Sequence, residues 1–197
     1  ASILSLACAR VIGTGDVDVP CAWWVDFAST NVMQSALPPL AAANPPPAIE
    51  VHGMKGETEH RQLVSRCAAS FQRVLVDMRF TDLQSTDSSA RTIAASAVTW
   101  KQQGYVYCPA YGYEQTHGAG WYPDPLFPPD DVSMQGNTTG SFWVSIRIPA
   151  DAEAGTYAGS GSVVVRSSGG GAVLVTVPIT VVVWPIALPP VAQTPFG

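Results

Sequence analysis

Hydrophobic and polar residues alternate along most of this chain, most cleanly in its C-terminal third. In Phe142-Trp143-Val144-Ser145-Ile146-Arg147-Ile148, residues Phe142, Val144, Ile146 and Ile148 share one face, while Trp143, Ser145 and Arg147 share the other. That period of two is the signature of a half-buried strand. Pro149 stops the run, and Asp151 to Gly155 supplies a turn. Tyr157 to Arg166 reads as a second strand, weakened by Gly159 and Gly161 and strengthened by Val163, Val164 and Val165. Ser167 to Gly171 reads as a hairpin loop and Ala172 to Trp184 as the return strand. Pro178 inside that strand predicts a bulge or an edge position, because proline cannot donate to a ladder. Three such strands in succession predict a compact meander.

Upstream, strand patterns recur at Ala22–Phe27, Ile49–Met54, Arg61–Cys67, Val74–Phe80, Thr92–Trp100 and Tyr105–Cys108, separated by turn-rich stretches such as Ser85–Ser89. Leu37–Pro47 holds five prolines and reads as an extended connector, and Pro123–Asp131 reads as a proline-rich crossing segment. No stretch of a dozen residues keeps apolar positions at i, i+3, i+4 and i+7, so helices are not expected. Many short strands with turn signals between them predict an all-β protein: a two-sheet antiparallel β-sandwich, immunoglobulin-like or jelly-roll-like. Long proline- and glycine-rich loops, Leu37–Pro47 and Ala110–Gly140, would hang from its ends. The reading divides the chain into an N-terminal segment 1–21, a sandwich 22–184 and a connector 185–197. Within the sandwich, Gly155-Thr156-Tyr157 resembles the corner in which a tyrosine hydroxyl clamps upstream backbone.

Composition narrows the picture. The 197 residues are 47% hydrophobic and 13% charged, with a net charge of −5 and 17 each of glycine and proline. Such a chain buries a core rather than staying disordered. Its acidic balance argues against nucleic acid or a polybasic membrane contact. No apolar run reaches the ~18–20 residues of a spanning helix. The residues after Arg166 carry no charge at all, which is expected of a strand and connector that a further domain covers. At the other end, Ala7-Cys8-Ala9 leaves two readings open: the tail of a secretory signal or a short edge strand. Secretion is the favoured localisation.

Four cysteines, Cys8, Cys21, Cys67 and Cys108, allow three pairings if all are oxidised. None stands at CxxC spacing and the three histidines, His52, His60 and His117, do not cluster with them, so no metal site and no cofactor is expected. Asn137-Thr138-Thr139 is a glycosylation sequon, relevant only along a eukaryotic secretory route. Glu57 and Glu59 form a close carboxylate pair on one strand face, a spacing glycosidases use. With Lys55 and Arg61 beside them and no pocket implied, a solvated or salt-bridged face is the better reading. Trp23 and Trp24 are adjacent, so one ring faces in and the other out, toward a ligand or another domain.

The stretch 105–122 is the best binding candidate. It holds Tyr105, Tyr107, Tyr111, Tyr113, Trp121 and Tyr122, with Gly104 just before it and Gly112, Gly118, Gly120 and the polar Glu114, Gln115 and His117 among them. Sugars stack their C–H faces on such rings while their hydroxyls seek directional partners. The competing reading is that these rings pin a long loop or pack against another domain.

The order of elements resembles one module, the N-terminal β-sandwich of glycoside hydrolase family 123. The residues that carry the resemblance are Phe142–Ile148, then Pro149-x-Asp151-Ala152-x-Ala154-Gly155-Thr156-Tyr157-x-Gly159 and the two Val-rich strands. To these add the ending Trp184…Leu188-Pro189…Thr194-Pro195-Phe196-Gly197. Gly56-Glu57-Thr58-Glu59…Gln62-Leu63-Val64 is similar to the family's Asn-Glu-x-Glu…Gln-x-Val strand, with Gly56 where Asn is usual. Val74-Leu75-Val76 with Asp82-Leu83, and Trp121-Tyr122-Pro123-Asp124-Pro125-Leu126, match in order. The resemblance implies a non-catalytic sandwich preceding a (β/α)-barrel in the same polypeptide. In the family that barrel carries an adjacent Asp-Glu pair assisting cleavage of β-N-acetylgalactosaminides. Nothing in this sequence matches that pair, so no catalytic residue is assigned here. Trp121, Asp124, Trp184 and Phe196 are the residues expected to pack against the barrel. A stand-alone carbohydrate-binding module using the aromatics of 105–122, with glycans as its partners, is the alternative.

Overall fold

The computed structural model describes residues 21–39, 47–87, 91–109, 118–167 and 171–189. Several expectations fall outside these residues: the N-terminal segment with Cys8, most of the Leu37–Pro47 connector, Tyr111, Tyr113, His117 and Phe196. The described chain is all β apart from a single 3₁₀ turn at Ala95–Ala97. Its strands are β1 (Cys21–Phe27), β2 (Ile49–Lys55), β3 (Thr58–Cys67), β4 (Val74–Phe80), β5 (Leu83–Ser85) and β6 (Thr92–Ile93), followed by β7 (Val98–Cys108), β8 (Gly120–Phe127), β9 (Ser133–Met134), β10 (Thr139–Arg147), β11 (Gly155–Val165) and β12 (Val173–Ala187). They form two sheets. One has five strands in the order β1-β3-β10-β7-β8; the other has seven, with β2-β12-β11-β4-β9 as its path and β5 and β6 appended beside β11. The expected antiparallel sandwich is present, with one parallel exception, β2 against β12.

The alternation in β10 has the consequence its pattern predicts. Phe142, Val144, Ile146 and the following Ile148 are buried between the sheets, where they meet Val177, Ile179, Val181 and Val183 of β12 in one core cluster. Trp23 stacks on Phe142 at 6.2 Å between ring centroids, and Trp100 meets the same ring edge-on at 5.9 Å. Tyr157 is buried, and its hydroxyl donates to the Glu153 carbonyl at 2.9 Å, the corner clamp read from the sequence. Gly159 follows it because a Cβ there would stand 2.8 Å from the Asp82 carbonyl and 2.6 Å from Leu83.

Four features depart from the expectations, and Pro178 meets its own in an internal strand. The meander is one hairpin rather than three strands: β11 and β12 pair, but β10 lies in the opposite sheet. Pro149 has no N–H to extend the ladder, and the 149–154 turn carries the chain across the sandwich. Thr92–Trp100 and Tyr105–Cys108 are not separate strands. β6 is two residues, the 3₁₀ turn follows, and β7 then runs unbroken from Val98 to Cys108. Pro123–Asp131, expected to cross as a loop, instead begins within the edge strand β8. Its register on β7 slips between Gln103 and Tyr105, where Pro123-Asp124-Pro125 bulges out of the ladder. Pro178 sits in an internal strand, yet β2 begins pairing only at Ile179, so Pro178 occupies a local edge. Finally, both Trp23 and Trp24 are buried. Trp24 points to the outer face as expected, but Val32 and Ala36 of the segment after β1 close over it and Val64 as a second small core.

That covering segment explains Gln62, a fully buried polar residue on the outer face of β3. Its amide donates to the carbonyls of Phe27 and Thr30 at 2.8 Å each, and its Oε1 accepts from Ser141 Oγ at 2.9 Å. Every polar atom of the side chain is thereby satisfied, the amide holding the end of β1 and the segment after it, and Oε1 the neighbouring strand β10. Cys21 and Cys67 face each other at the end of the β1–β3 ladder and form a disulfide. This settles one of the pairings left open, and Cys108 is a free thiol. Among the described residues no helix is long and apolar enough to cross a membrane.

Candidate functional site

The aromatic stretch divides between two environments. Beyond the β8 bulge, Tyr107 and Trp121 are register partners on the sheet edge, and their rings meet edge to face at 5.5 Å. Both are about half exposed, at 53% and 49%. Tyr122 turns its hydroxyl back to the Gly118 carbonyl at 2.7 Å, which pins the start of β8. Asp124 is exposed on the bulge.

Tyr105 does not join this pair. It lines a polar cleft of about 340 Å³ where β7, the start of β10 and the 133–138 loop converge. Gln103 lines the same cleft and is only 7% exposed. Gln103 Oε1 and the Tyr105 hydroxyl are buried there without a hydrogen-bond partner. Burial pushes the Tyr105 hydroxyl up to about 12, so it stays a neutral donor at physiological pH. Gly104, between them, lets the Phe127 ring and Pro125 fold over the strand. A Cβ at 104 would stand 2.9 Å from Pro125 Cγ and collide with the Phe127 ring. Gln34, Gln135 and Thr138 complete the polar wall. Arg73 lies at the mouth, donating from Nε to Ser133 Oγ at 3.1 Å. No carboxylate is among the described residues that line the cleft. Of this set the sequence pointed only to Tyr105. Gln103 falls on the face opposite Phe142, so its pattern marks an outward polar position, and only the bulge and the covering loops bury it.

A second groove of about 380 Å³ runs between the outer strands β1 and β2. Within it His52 Nε2 lies 2.8 Å from Glu50 Oε1, and the Arg61 guanidinium sits 5.1 Å above the Phe27 ring. Glu57 and Glu59 line neither cavity. Both side chains lie over Gly53, and Glu57 Oε2 accepts the Met54 N–H at 2.8 Å, closing the β2–β3 turn. Glu57 thus serves the turn, and among the described residues no salt bridge joins either carboxylate to Lys55 or Arg61. No group of three or more metal-ligating side chains occurs among the described residues.

The last candidate surface is the end of β12. Past Val183 the strand leaves its regular register on β2, and Trp184, Ile186 and Leu188 are each 43–55% exposed. Leu188 is held by its N–H to the Lys55 carbonyl at 2.9 Å. Trp184 and Trp121 lie in different sheets, and no ring contact between described residues joins them. The interdomain set read from sequence is thus split between two surfaces.

No curated protein matches the chain significantly. Among solved structures, a family 123 glycoside hydrolase from Clostridium perfringens shares the fold, with a TM-score of 0.68 at 14% identity. The alignment covers 88% of this chain and 29% of that one, so the present chain corresponds to under a third of the clostridial enzyme. A PapD-like domain of human CEP192 aligns over 91% of this chain and 97% of its own, at 8% identity and a TM-score of 0.42. The model of the glycoside hydrolase 123 N-terminal domain matches residues 27–166, from the end of β1 to the end of β11, and the chain belongs to that family.

Proposed function

We propose that this sandwich is the non-catalytic support of a glycosidase-type (β/α)-barrel in the same polypeptide, docked through the end of β12. The observation that carries the reading is the row Trp184, Ile186, Leu188. Trp184 and Ile186 stand exposed on the face of β12 opposite the buried Val181 and Val183, and Leu188, just past the strand, continues the exposed apolar row. Side chains alternating on one side of a strand make a single apolar strip, and a strip of this kind marks an interface. The likeness of the chain to under a third of a family 123 enzyme supports a barrel as the occupant. Secretion of such a protein fits the Cys21–Cys67 disulfide, since disulfides persist in oxidising compartments.

The coding sequence downstream of Gly197 tests this first. A frame that continues into a barrel with an adjacent Asp-Glu pair is the expected result, and a stop codon at that point would sink the reading. In the two-domain protein, Trp184→Ser with Ile186→Ser is expected to lower the midpoint of barrel unfolding. An unchanged midpoint would place the interface elsewhere.

A second reading rests on a different observation, the exposed Tyr107–Trp121 pair. Two rings at the sheet edge offer a stacking platform for a sugar, and this favours carbohydrate binding by the sandwich itself. Loss of glycan-array signal on Trp121→Ala would support it. Silence of the unmodified chain across the array would remove it.

A further inference from the structure

The uncovered outer face of the five-stranded sheet carries an inference that rests neither on barrel docking nor on the Tyr107–Trp121 pair. We propose that the face built by Trp143, His60 and Ser145, bracketed by Lys101 and Arg147, binds a carboxylate-bearing saccharide, a short run of linked uronate sugars.

Strand register puts these side chains together. In β10 the core takes Phe142, Val144 and Ile146, so Trp143, Ser145 and Arg147 stand on the opposite face. Lys101 of β7 is the direct partner of Trp143, and Thr99 that of Ser145. On the other side of β10, His60 and Thr58 of β3 are the partners of Ser145 and Arg147. The covering segment closes over Trp24, Val64 and Gln62 but leaves this half of the sheet open. Thr99, Lys101 and Arg147 are exposed there, and Trp143, His60 and Ser145 are partly exposed.

The centre of the face is an aromatic ring held in place by its polar end. The Trp143 indole N–H can only donate, and it does so to His60 Nδ1 at 3.2 Å, with the two ring centroids 5.5 Å apart. Ser145 Oγ lies 2.9 Å from the same nitrogen. Nδ1 is therefore the acceptor of the neutral imidazole, and the ring's own proton is on Nε2, a donor that no described residue accepts. An apolar ring beside a directional N–H suits a sugar, which has a C–H face and hydroxylated edges. A peptide is a poor match. From Ser141 to Ile146, β10 is paired with β3 on one side and β7 on the other, so this face offers no strand edge for a peptide backbone to join.

Charge selects an acidic sugar. The chain as a whole carries −5, yet the charged side chains that bracket Trp143 are both cations. Among the described residues neither Lys101 nor Arg147 forms a salt bridge. Asp26, on the outer side of β1, is occupied by the Phe27 N–H at 2.8 Å and the Thr30 hydroxyl at 2.7 Å. Asp124 stands on the bulge of the edge strand, beyond β7. Lys101 lies opposite Trp143, and Arg147 is a further roughly 13 Å along β10 at the rise of a strand. That separation is too long for one small anion to bridge. A chain of sugars crosses it with its ring faces over Trp143 and its carboxylates at the cations, whereas a neutral chain would leave both cations unmatched.

The test is a ¹H–¹⁵N titration of the 197-residue chain with trigalacturonate, to about 20 mM so that millimolar affinity is covered. Saturable shifts are expected, centred on the Trp143 indole signal and the amides of Lys101 and Ser145. Lys101→Gln with Arg147→Gln, at two exposed positions, should weaken that binding about fivefold, the scale of exposed ion pairs. If the double variant does not fold, Lys101→Gln decides alone. Trp121→Ala should leave the affinity unchanged; a loss there would move the ligand to the edge pair and overturn the proposal. Absence of saturable shifts overturns it as well, and so does unchanged affinity in the charge variant. An equal response to neutral maltotriose overturns the acidic assignment. An equal response of the same signals to hexaglutamate overturns the saccharide, and an equal response to sulfate overturns the linked chain.

Discussion

At the scale of single residues, buried polar groups set the behaviour of this domain. Gln62 satisfies three partners at once. Gln62→Leu keeps the volume but removes one of two hydrogen bonds at each of the Phe27 and Thr30 carbonyls and leaves the Ser141 hydroxyl unpaired, for a loss on the order of 2 kcal/mol. Urea unfolding should show it as a lower midpoint with an unchanged slope. Tyr105 has the opposite character, a buried hydroxyl with no partner. Its pKa is raised by burial from 10.0 to about 12, so the unfolded chain releases that proton first as pH rises. The contribution is intact below pH 10, and stability declines as pH climbs from 10 through 12. Tyr105→Phe should remove that part of the decline, which thermal melts of both proteins at pH 9 and pH 11.5 would reveal. Sequence reading found Tyr105 by its company of aromatics and missed Gln103 and the burial of Gln62. Polar residues at outward positions look alike whether solvent or another segment lies above them.

At the scale of elements, alternation located strands well and their partners poorly. β4 was legible to the residue, and β10, β11 and β12 nearly so, because each carries a long apolar face. β8 was not, because Pro123 and Pro125 contradict a strand by every local signal. It forms as an edge strand whose bulge places both prolines at an irregularity in the ladder. The assignment of β10 to the sheet opposite β11 was likewise hidden, since a turn of the same length can close a hairpin or cross a sandwich. The cysteine pairing needed the register of β1 on β3, which places Cys21 opposite Cys67. That bond closes a loop of 46 residues, and its removal by Cys21→Ser with Cys67→Ser should cost about 2–4 kcal/mol. The denaturation midpoint of the double variant, compared with that of the disulfide-bonded parent, checks this.

At the scale of the whole molecule, the two sheets share one core, and the Phe142 ring joins β1, β7 and β10 within it through Trp23 and Trp100. Phe142→Ala is expected to cost about 3–5 kcal/mol, because a cavity opens among rings that cannot collapse into it. Loss of the near-ultraviolet tryptophan signal at unchanged strand content would be its spectroscopic form. The fold class and the family were readable because they rest on the order of many elements. The polar cleft was not, because it belongs to loops whose convergence no local pattern encodes.

The parallel pairing of β2 with β12 has a consequence for how the chain is made. Ile49 is the partner of Ile179, and no hairpin can bring them together. On a ribosome, the early strand must emerge and wait, its edge unclaimed, until almost all of the described chain has been synthesised. The seven-stranded sheet is therefore completed last and from its far end. A nascent chain halted before residue 179 would hold a five-stranded sheet that has every one of its strands but faces no finished partner. Holdase chaperones would then have a defined window in which to act, opening when β2 appears and closing when β12 does.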